Sequence, residues 1–235
     1  MRGALMERYT AMVTRIKKES FDTATIYFCV EKKVHFTYTA GQYVTIFFDD
    51  SSTPEGKAYS LSSAPHEHEL SITVKNVGEY SGRLHALKVG DTLEISAAYG
   101  FFNPETKHPL VCIGAGCGLA PIWSIVKHEL RQDSTRVAHV FFSNREVKGI
   151  PFHDELSEYE AHHASLAVHH HITQEKRIPD HMHHGRIDLD TCVRTVEGDV
   201  SYLLCGSVEF VRDMWRGLVD RGVPGRCIST ETFFQ

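Results

Sequence analysis

The sequence predicts two domains of different architecture: an antiparallel β-barrel or sandwich over residues 1–106, and an α/β domain with a parallel sheet over residues 107–235. The first hundred residues contain short β-branched and aromatic segments separated by turn signals, which is typical of antiparallel folds. After the segment Lys107-His108-Pro109, apolar strands alternate with helical stretches, as a parallel sheet with crossover helices requires. A length of 235 residues accommodates one large domain or two modest ones.

The first domain is predicted to contain four strands, at residues 24–30, 42–48, 69–74 and 91–95, and one short helix at 80–87. Each predicted strand is rich in β-branched or aromatic residues, and Asp/Ser, Pro/Gly or Gly/Asp clusters separate them. Because several strands follow one another at close spacing, we expect them to pair antiparallel.

The second domain is predicted to alternate strands at 110–113, 137–142, 165–173 and 202–205 with helices at 121–130, 152–161 and 208–221. In the first helix, Ile122, Ile125, Val126 and Leu130 fall on one face, which indicates a helix packed on a sheet. The last five residues, 231–235, contain an acid and two aromatic residues, which is equally compatible with a site residue and with an apolar tail buried in the core.

Composition excludes several classes of protein. The chain is 42% hydrophobic and 23% charged, as in an average globular protein, and its net charge of −5 with no Lys/Arg-rich run argues against a nucleic-acid partner. No apolar stretch is long enough to span a membrane, and residues 1–10 lack the apolar core of a secretory signal. The six cysteines have no metal or iron–sulfur spacing, so we expect reduced thiols in a cytoplasmic protein.

A glycine-rich turn follows the first strand of the second domain. Gly114, Gly116 and Gly118 alternate between the strand and a helix that has Pro121 in its first turn. Glycines let backbone amides approach a pyrophosphate closely, and the following helix directs its positive end at the same anion. The alternative is a strand-to-helix turn that merely needs glycine. Its position between a strand and a helix favours phosphate binding.

A second candidate segment is Cys205-Gly206, at the carboxyl end of another predicted strand. Ligands bind at that edge of open α/β sheets. Cys205 could instead be a small buried hydrophobic residue.

In the first domain, the segment 56–63 combines a cation, an aromatic ring and hydroxyls. Alternation places Lys57 and Tyr59 on one side of a strand and Ser60 on the other. These groups would suit the phosphate, the ring and a ring nitrogen of a flavin nucleotide. Gly78 and Ser81, before a helix, would form a second anion site. Each segment alone is also compatible with a strand edge or a helix cap.

Together these motifs resemble the ferredoxin–NADP reductase superfamily, over nearly the whole chain. Lys57-Ala58-Tyr59-Ser60 is similar to its R-x-Y-S/T motif, Gly78 to Ser81 to its G-x-x-S motif, and Gly114 to Pro121 to its nucleotide loop. The order of the motifs also matches, with Ala40-Gly41-Gln42-Tyr43 before the flavin strand and Cys205-Gly206 near the end.

The resemblance implies a flavin-binding β-barrel followed by a nucleotide-binding α/β domain, with bound FAD rather than FMN and with NAD(P)H as substrate. It implies Ser60, Cys205 and Glu231 as catalytic residues close to the path of the hydride. The implied flavin contacts are Lys57, Ala58, Tyr59, Ser60, Val74, Gly78, Ser81 and Phe233, and the implied NAD(P)H contacts are Gly114, Gly116, Gly118, Pro121, Ser143, Arg145, Cys205 and Gly206.

Two departures from the family pattern bear on binding. Lys57 replaces the usual arginine, which keeps the charge but loses its bidentate geometry, so we expect weaker flavin retention. The segment Ala97–Phe102 lacks the usual proline before its glycine. Ser143 and Arg145, after the second strand of the parallel sheet, could hold a 2′-phosphate, which slightly favours NADPH over NADH.

The expected activity is transfer of electrons from NAD(P)H through FAD to a separate redox protein, such as a ferredoxin, a flavodoxin or an oxygenase component. A separate acceptor is expected because this chain has no ligand set for an iron–sulfur cluster. Two alternatives stay open: a flavin reductase that uses diffusible flavin as substrate, and a non-catalytic module that senses dinucleotides.

The sixteen histidines are the unusual feature of the composition, and half of them lie between His162 and His184. Alternation in the strand at 165–173 places His169 and His171 on the same face. A solvated, pH-sensitive surface is the favoured interpretation. No metal site is predicted, because a metal ion needs ligands that converge in three dimensions.

Overall fold

A computed structural model describes residues 7–31 and 36–233. Its first half is a six-stranded sheet in the order β4-β3-β6-β1-β2-β5, in which neighbouring strands are antiparallel. A bridge between Leu61, just after β4, and Ile72 on β5 closes the sheet into a barrel. The elements are β1 (Arg8–Lys18), β2 (Thr23–Val30), β3 (Tyr43–Phe47), β4 (Lys57–Ser60), β5 (Leu70–Lys75), α1 (Glu79–His85) and β6 (Thr92–Ser96).

The second half is a six-stranded parallel sheet in the order β10-β9-β8-β7-β11-β12. Helices α2 and α3 cover one face and α4 and α5 the other. The elements are β7 (Leu110–Ala115), α2 (Leu119–Gln132), β8 (Ala138–Asn144), α3 (His153–His162), β9 (Leu166–Ile172), β10 (His183–His184), α4 (Leu189–Arg194), β11 (Ser201–Ser207), α5 (Val208–Asp220) and β12 (Ile228–Phe233). The predicted fold class, an antiparallel barrel followed by a parallel α/β sheet, is confirmed.

Three strands, β1, β10 and β12, and helix α4 were absent from the sequence prediction. In β1, Ala11 and Val13 are buried and alternate with the exposed Met12, but an irregularity between Val13 and Arg15 breaks the pattern that would have revealed the strand. The strand β12 includes Glu231 and Phe233, so the end of the chain is not a loose apolar tail as far as the structure describes it. Phe234 and Gln235 lie outside the described residues.

Helix α2 is bonded to the barrel. The Ser124 hydroxyl donates a hydrogen bond of 2.5 Å to the carbonyl of Ser63. One turn further, the buried ammonium of Lys127 lies 2.7 Å from Glu67, which follows the flavin-strand segment, and 3.4 Å from Glu155 on α3. A buried cation held by two carboxylates fixes α2 and α3 against the loop at residues 61–69.

A second contact joins the halves at the start of α3. Phe152 precedes this helix with a φ of 58° and is the one non-glycine residue at positive φ in the described part of the chain. Its amide donates to Glu19 Oε2 (3.1 Å), and Glu19, whose side chain is buried, also accepts from Thr25 in β2. A positive φ is energetically unfavourable for a bulky residue. The burial of the Phe152 side chain and the hydrogen bond from its amide to Glu19 therefore stabilise a strained backbone at the start of α3.

Candidate functional site

The carboxyl edge of the parallel sheet brings together most of the candidate nucleotide residues. In register, Gly114 of β7 lies beside Cys205 of β11, and Cys205 lies beside Glu231 of β12. On the other side, Ala115 lies beside Ser143 of β8. Candidate residues more than a hundred positions apart in sequence therefore share one edge, where ligands of open α/β sheets bind.

Gly114 at the end of β7 and the two glycines of the following turn are required for different structural reasons. Gly116 has a φ of +55°, a conformation that favours glycine, and a Cβ there would meet nothing within 4 Å. Gly118 is required by packing, because its Cβ would lie 2.3 Å from the carbonyl oxygen of Cys205. Gly114 would bring a Cβ to 3.1 Å from Ile122. The turn at Gly116–Gly118 then runs directly into α2, which has Pro121 in its first turn and can direct its amino end at an anion.

Cys205 and Gly206 lie where this turn crosses β11. The Cys205 side chain is fully buried, and burial, with a smaller contribution from the nearby carboxylate of Glu231, holds the pKa of its thiol well above the usual value. A Cβ on Gly206 would lie 2.8 Å from the Phe210 ring. Burial likewise raises the pKa of the half-buried Glu231 carboxyl. The two residues named as catalytic candidates in this domain are thus a buried thiol and a half-buried carboxyl, and burial raises the pKa of both groups.

The glycine turn also contacts the barrel. It packs against β5 of the barrel as well as against β11 and β12. Its middle residue, Cys117, lies beside Lys75 and Thr23, where desolvation raises the pKa of the thiol to about 11. Because β5 is bridged to the residue after β4, the nucleotide turn approaches the strand that carries the flavin candidates.

The flavin candidates on β4 lie on two sides of the strand, as alternation predicts. Tyr59 is partly buried, and its ring stacks on that of Tyr80 at 6.4 Å and 23°. Lys57 is exposed, with its ammonium 5.7 Å from the Tyr80 ring, and makes no ion pair within the described residues. Ser60 faces the other way, opposite Tyr43 on β3. Ala58, between Lys57 and Tyr59, is exposed.

These side chains fit a flavin nucleotide in their chemistry. A partly exposed aromatic ring is available for stacking, and a cation without a carboxylate partner in the described part of the chain is available for a phosphate. The Ser60 hydroxyl makes no hydrogen bond to the described residues, so it can donate to a ring nitrogen. Burial raises the pKa of the Tyr59 phenol, which therefore stays neutral.

In the second flavin motif, the serine hydroxyl is already hydrogen-bonded to the neighbouring backbone, which the sequence does not indicate. The Ser81 hydroxyl accepts hydrogen bonds from the amides of Val77 (2.9 Å) and Gly78 (3.0 Å) and lies 3.1 Å from the Gly78 carbonyl. Gly78 itself is open, with nothing within 4 Å of a Cβ. Val74 is buried, and its carbonyl is paired with His85. In this motif the accessible feature is the backbone at Gly78 rather than the serine hydroxyl.

Ser143 and Arg145 end β8 and begin the following turn. Ser143 is half-buried and Arg145 is exposed, and the Arg145 carbonyl accepts from the amide of Gln174 (2.9 Å). Both residues lie at the same sheet edge as the glycine turn. Phe233, the last described residue, is partly buried against the core between α2 and the sheet.

Two residues near the flavin candidates were missed. Tyr80 contacts both Tyr59 and Lys57, and Tyr43 lies opposite Ser60. Tyr80 could have been found from its position directly after Gly78 in the second flavin motif. Tyr43 belongs to the motif Ala40-Gly41-Gln42-Tyr43, but the sequence does not reveal that it pairs with Ser60 across two neighbouring strands.

The histidines of β9 are less solvated than the sequence indicates. His169 and His171 do share one face, but His170 and His171 are buried. Burial, together with repulsion from neighbouring imidazoles, lowers the pKa of His169, His170 and His171 to about 4. The expectation of a surface that titrates near neutral pH is therefore wrong for these three. Within the described residues, no three His, Cys, Asp or Glu side chains are arranged to hold a metal ion.

Both halves of the chain match known protein families. Residues 10–103 match the oxidoreductase FAD-binding domain, and residues 112–215 match the oxidoreductase NAD-binding domain.

Among curated proteins, the chain is 28% identical to the reductase component 1 of terephthalate 1,2-dioxygenase from a Comamonas species, covering 83% of this chain and 59% of that protein. It is 29% identical to the flavohemoprotein of Bacillus subtilis, covering 98% of this chain and 60% of that protein. The chain therefore spans about 60% of the length of these relatives.

Among solved structures, the FAD/NAD-binding domain of a nitric oxide dioxygenase from Vibrio cholerae superposes with a TM-score of 0.84 at 26% identity, covering 96% of this chain and 98% of that one. A ferredoxin NADP⁺ reductase from Neisseria gonorrhoeae, with bound FAD and NADP, shares the fold with a TM-score of 0.80 at 20% identity, covering 98% of this chain and all of that one. In the described part of the chain, no helix is long and apolar enough to cross a membrane.

Proposed function

Because the chain belongs to the ferredoxin–NADP reductase superfamily, with an FAD-binding and an NAD-binding domain, we propose that it is a flavin-dependent NAD(P)H oxidoreductase. It takes electrons from a nicotinamide nucleotide and passes them through bound FAD to a separate redox protein. The acceptor is a ferredoxin, a flavodoxin or an oxygenase component; among the relatives are reductase components of a terephthalate dioxygenase and of a 3-ketosteroid monooxygenase.

One observation carries this proposal. The glycine turn, Cys205-Gly206 and Glu231 meet at one edge of the parallel sheet, and the same turn packs on β5 of the barrel, next to the flavin strand. A dinucleotide bound at that edge has its reactive end directed toward the junction with the barrel. Holding two reactants in contact geometry is the main contribution that a protein makes to hydride transfer.

On the nucleotide side, the backbone of the turn at Gly116 and the amino end of α2 bind the pyrophosphate of NAD(P)H. Gly114, Gly118 and Gly206 allow the close packing that forms this loop, and Pro121 begins the helix. Ser143 and Arg145 contact the adenosine end, where the guanidinium of Arg145 favours a 2′-phosphate and hence NADPH. Cys205 and Glu231 line the nicotinamide end.

On the flavin side, Tyr59 stacks on the ring system, Ser60 donates a hydrogen bond to N5, and Lys57 pairs with the phosphates. Backbone at Ala58, Val74 and Gly78 follows the phosphates, and the Ser81 hydroxyl fixes the Gly78 backbone by accepting a hydrogen bond from its amide (3.0 Å). Phe233 covers the ring from the second domain. When bound, FAD would accept a hydride from NAD(P)H and release electrons one at a time. Burial beside Cys205 raises the pKa of the Glu231 carboxyl, because a desolvated site disfavours the ionised form.

The domain boundary is proposed at residues 106/107. A cytoplasmic location is proposed from the six cysteines, all of which are free thiols, as a reducing compartment maintains them.

The test is an anaerobic titration of the purified, FAD-supplied protein with NADH and then NADPH, followed by absorbance. We expect one of the two nucleotides to bleach the flavin band at near-stoichiometric amounts. We also expect NAD(P)H-dependent reduction of ferricyanide and of cytochrome c. Tyr59→Ala should lose flavin on gel filtration, whereas the matched aromatic variant Trp215→Ala on α5 should retain it. A protein that binds FAD but is not reduced by either nucleotide would refute the proposal.

The exposure of Lys57 favours one other function, a flavin reductase that uses FMN, FAD or riboflavin as a diffusible substrate. In that case the purified protein is colourless, and the rate of NAD(P)H oxidation saturates with added free flavin. Stoichiometric yellow protein excludes it. A non-catalytic module would bind nucleotide without any reduction of flavin.

A further inference from the structure

Four exposed cations surround the carboxyl ends of β8 and β9. They lie in the two loops that follow these strands and are Arg145, Lys148, Lys176 and Arg177. Within the residues that the structure describes, none of the four forms an ion pair. Only two carboxylates, Glu146 and Glu175, accompany them in residues 145–148 and 174–177, although the chain as a whole has a net charge of −5. This local excess of positive charge favours an anionic ligand.

The two loops are joined to each other by main-chain hydrogen bonds. The amide of Thr173 donates to the carbonyl of Asn144 (3.0 Å). The next amide, of Gln174, donates to the carbonyl of Arg145 (2.9 Å). The pairing of β8 and β9 thus continues past the ends of both strands, and it brings the loop after β9 beside Arg145.

The carboxylate of Glu175 strengthens this connection. Its Oε2 accepts a hydrogen bond of 2.8 Å from the amide of Val147, in the turn after β8. Because this bond ties residue 175 to that turn, the next two residues, Lys176 and Arg177, also lie near it. Val147 and Ile178 both pack against the core between the sheet and its helices, so each loop is anchored next to its cations.

The loops lie at the nucleotide edge of the sheet. Ala115, just before the glycine turn, is in register with Ser143 of β8, and β9 is the next strand along. With strands about 4.8 Å apart, the loop after β9 is about 10 Å from the glycine turn that binds the pyrophosphate. One ribose separates the pyrophosphate of NADPH from its 2′-phosphate, and long lysine and arginine side chains can span the remaining distance. A phosphate monoester carries nearly two negative charges at neutral pH, so a single arginine does not neutralise it.

We propose that Lys176 and Arg177, from the loop after β9, bind the 2′-phosphate of NADPH together with Arg145 and thereby determine the choice between NADPH and NADH. This inference rests on the proposed function and adds a second loop to the adenosine end of the nucleotide site. The guanidinium of Arg177 presents N–H donors in a fork that matches phosphate oxygens, and Lys176 supplies a point charge. NADH has no 2′-phosphate and gains nothing from either residue.

The experiment is isothermal titration of the full-length protein with adenosine 2′,5′-bisphosphate and with 5′-AMP, which differ only in the 2′-phosphate. We expect the wild type to bind the bisphosphate at least about tenfold more tightly, as one charge-assisted hydrogen bond would produce. Added salt should reduce this preference, because it screens exposed charges.

Lys176→Ala and Arg177→Ala should each weaken binding of the bisphosphate by about tenfold and leave binding of 5′-AMP unchanged. Unchanged binding of 5′-AMP also shows that the variants are folded. Arg216→Ala is the matched control, because Arg216 is likewise an exposed cation but lies on α5, on the opposite face of the sheet from α3. This variant should bind both nucleotides like the wild type.

Equal affinity of the wild type for the two nucleotides would overturn the proposal. So would a result in which Arg145→Ala weakens binding of the bisphosphate while the Lys176 and Arg177 variants bind it like the wild type. Reduction of the flavin by NADH would leave the oxidoreductase function standing in both cases. A protein that binds FAD but is reduced by neither NADH nor NADPH would instead refute the function, and this proposal with it.

Discussion

Replacement of Gly118 by alanine tests how the nucleotide turn is built. The added Cβ would lie 2.3 Å from the carbonyl oxygen of Cys205, 2.5 Å from its carbonyl carbon and 2.8 Å from the amide nitrogen of Gly206. All three are backbone atoms of the central strand β11, so no side chain can rotate to make room. Either the glycine turn or the strand must move.

Overpacking that forces backbone shifts costs about 1–3 kcal/mol, and a contact with three backbone atoms belongs at the upper end, about 3 kcal/mol. For a protein of this size that corresponds to a decrease in Tm of roughly 6–12 °C. Gly217→Ala is a matched control, because its Cβ would also lie 2.3 Å from a neighbour, but that neighbour is Cδ1 of Leu189. A leucine methyl can rotate away, and alanine is favoured over glycine inside helix α5 by about 1 kcal/mol.

The assay is urea denaturation followed by circular dichroism, together with calorimetric titration of both variants with NADP⁺. Gly118→Ala should lose about 3 kcal/mol of unfolding free energy and bind the nucleotide at least about tenfold more weakly, because a shift of about 1 Å in the turn misplaces the amides. Gly217→Ala should stay within about 1 kcal/mol of the wild type and retain its affinity. If the two variants lose equal stability, the steric reasoning about Gly118 is wrong.

Three further outcomes follow from the same structure. Lys127→Ala should lower the free energy of unfolding by about 1–3 kcal/mol in urea titrations, because it removes the buried ammonium that pairs with two partly exposed carboxylates; an unchanged midpoint would contradict this. The folded-state pKa of His170, about 4, lies below the value of about 6.5 in the unfolded chain, so the unfolded state binds more protons between these values. Stability should therefore fall as pH decreases from about 6.5 to about 4, by on the order of 3 kcal/mol from this group. In metal-free buffer, His170→Gln should reduce that pH dependence, and an identical slope would refute the assignment. Arg145→Ala should raise KM for NADPH about tenfold or more while leaving KM for NADH unchanged in steady-state assays, since one charge-assisted hydrogen bond contributes about 1.5–3 kcal/mol; equal effects on both would rule out a contact with the 2′-phosphate.

The elements that could be predicted from the sequence are those whose pattern is local. The strand at Leu110–Ala115, the glycine turn and the apolar face of α2 are encoded within some twenty consecutive residues, and the structure has them with boundaries shifted by one or two positions. The alternation in the Lys57–Ser60 segment likewise fixes which side chains share a side.

The elements that were missed depend on partners distant in sequence. β12 is a strand because Ile228–Phe233 pairs with β11, and its own residues are only partly buried. The sequence also does not show that Gly118 and Gly116 are required for different reasons. Gly118 leaves no room for a side chain because β11 packs against the turn there, whereas Gly116 adopts a positive φ. The histidine count suggested a solvated surface, because composition does not reveal that β8 and β10 flank β9 and shield its imidazoles.

The burial of Cys205 has a consequence for the durability of the proposed enzyme. A reduced flavin that leaks electrons to dioxygen produces hydrogen peroxide within its own site, and a thiolate there would be the first group to be oxidised. Oxidation of cysteine requires the thiolate and access, and Cys205 has neither, because its side chain is fully buried and its pKa is far above neutrality. Cys112 and Cys192 are shielded in the same way, with pKa values raised by burial to about 12. Peroxide and alkylating reagents should therefore spare the thiol beside the nicotinamide, so that repeated turnover in air leaves this part of the protein chemically intact.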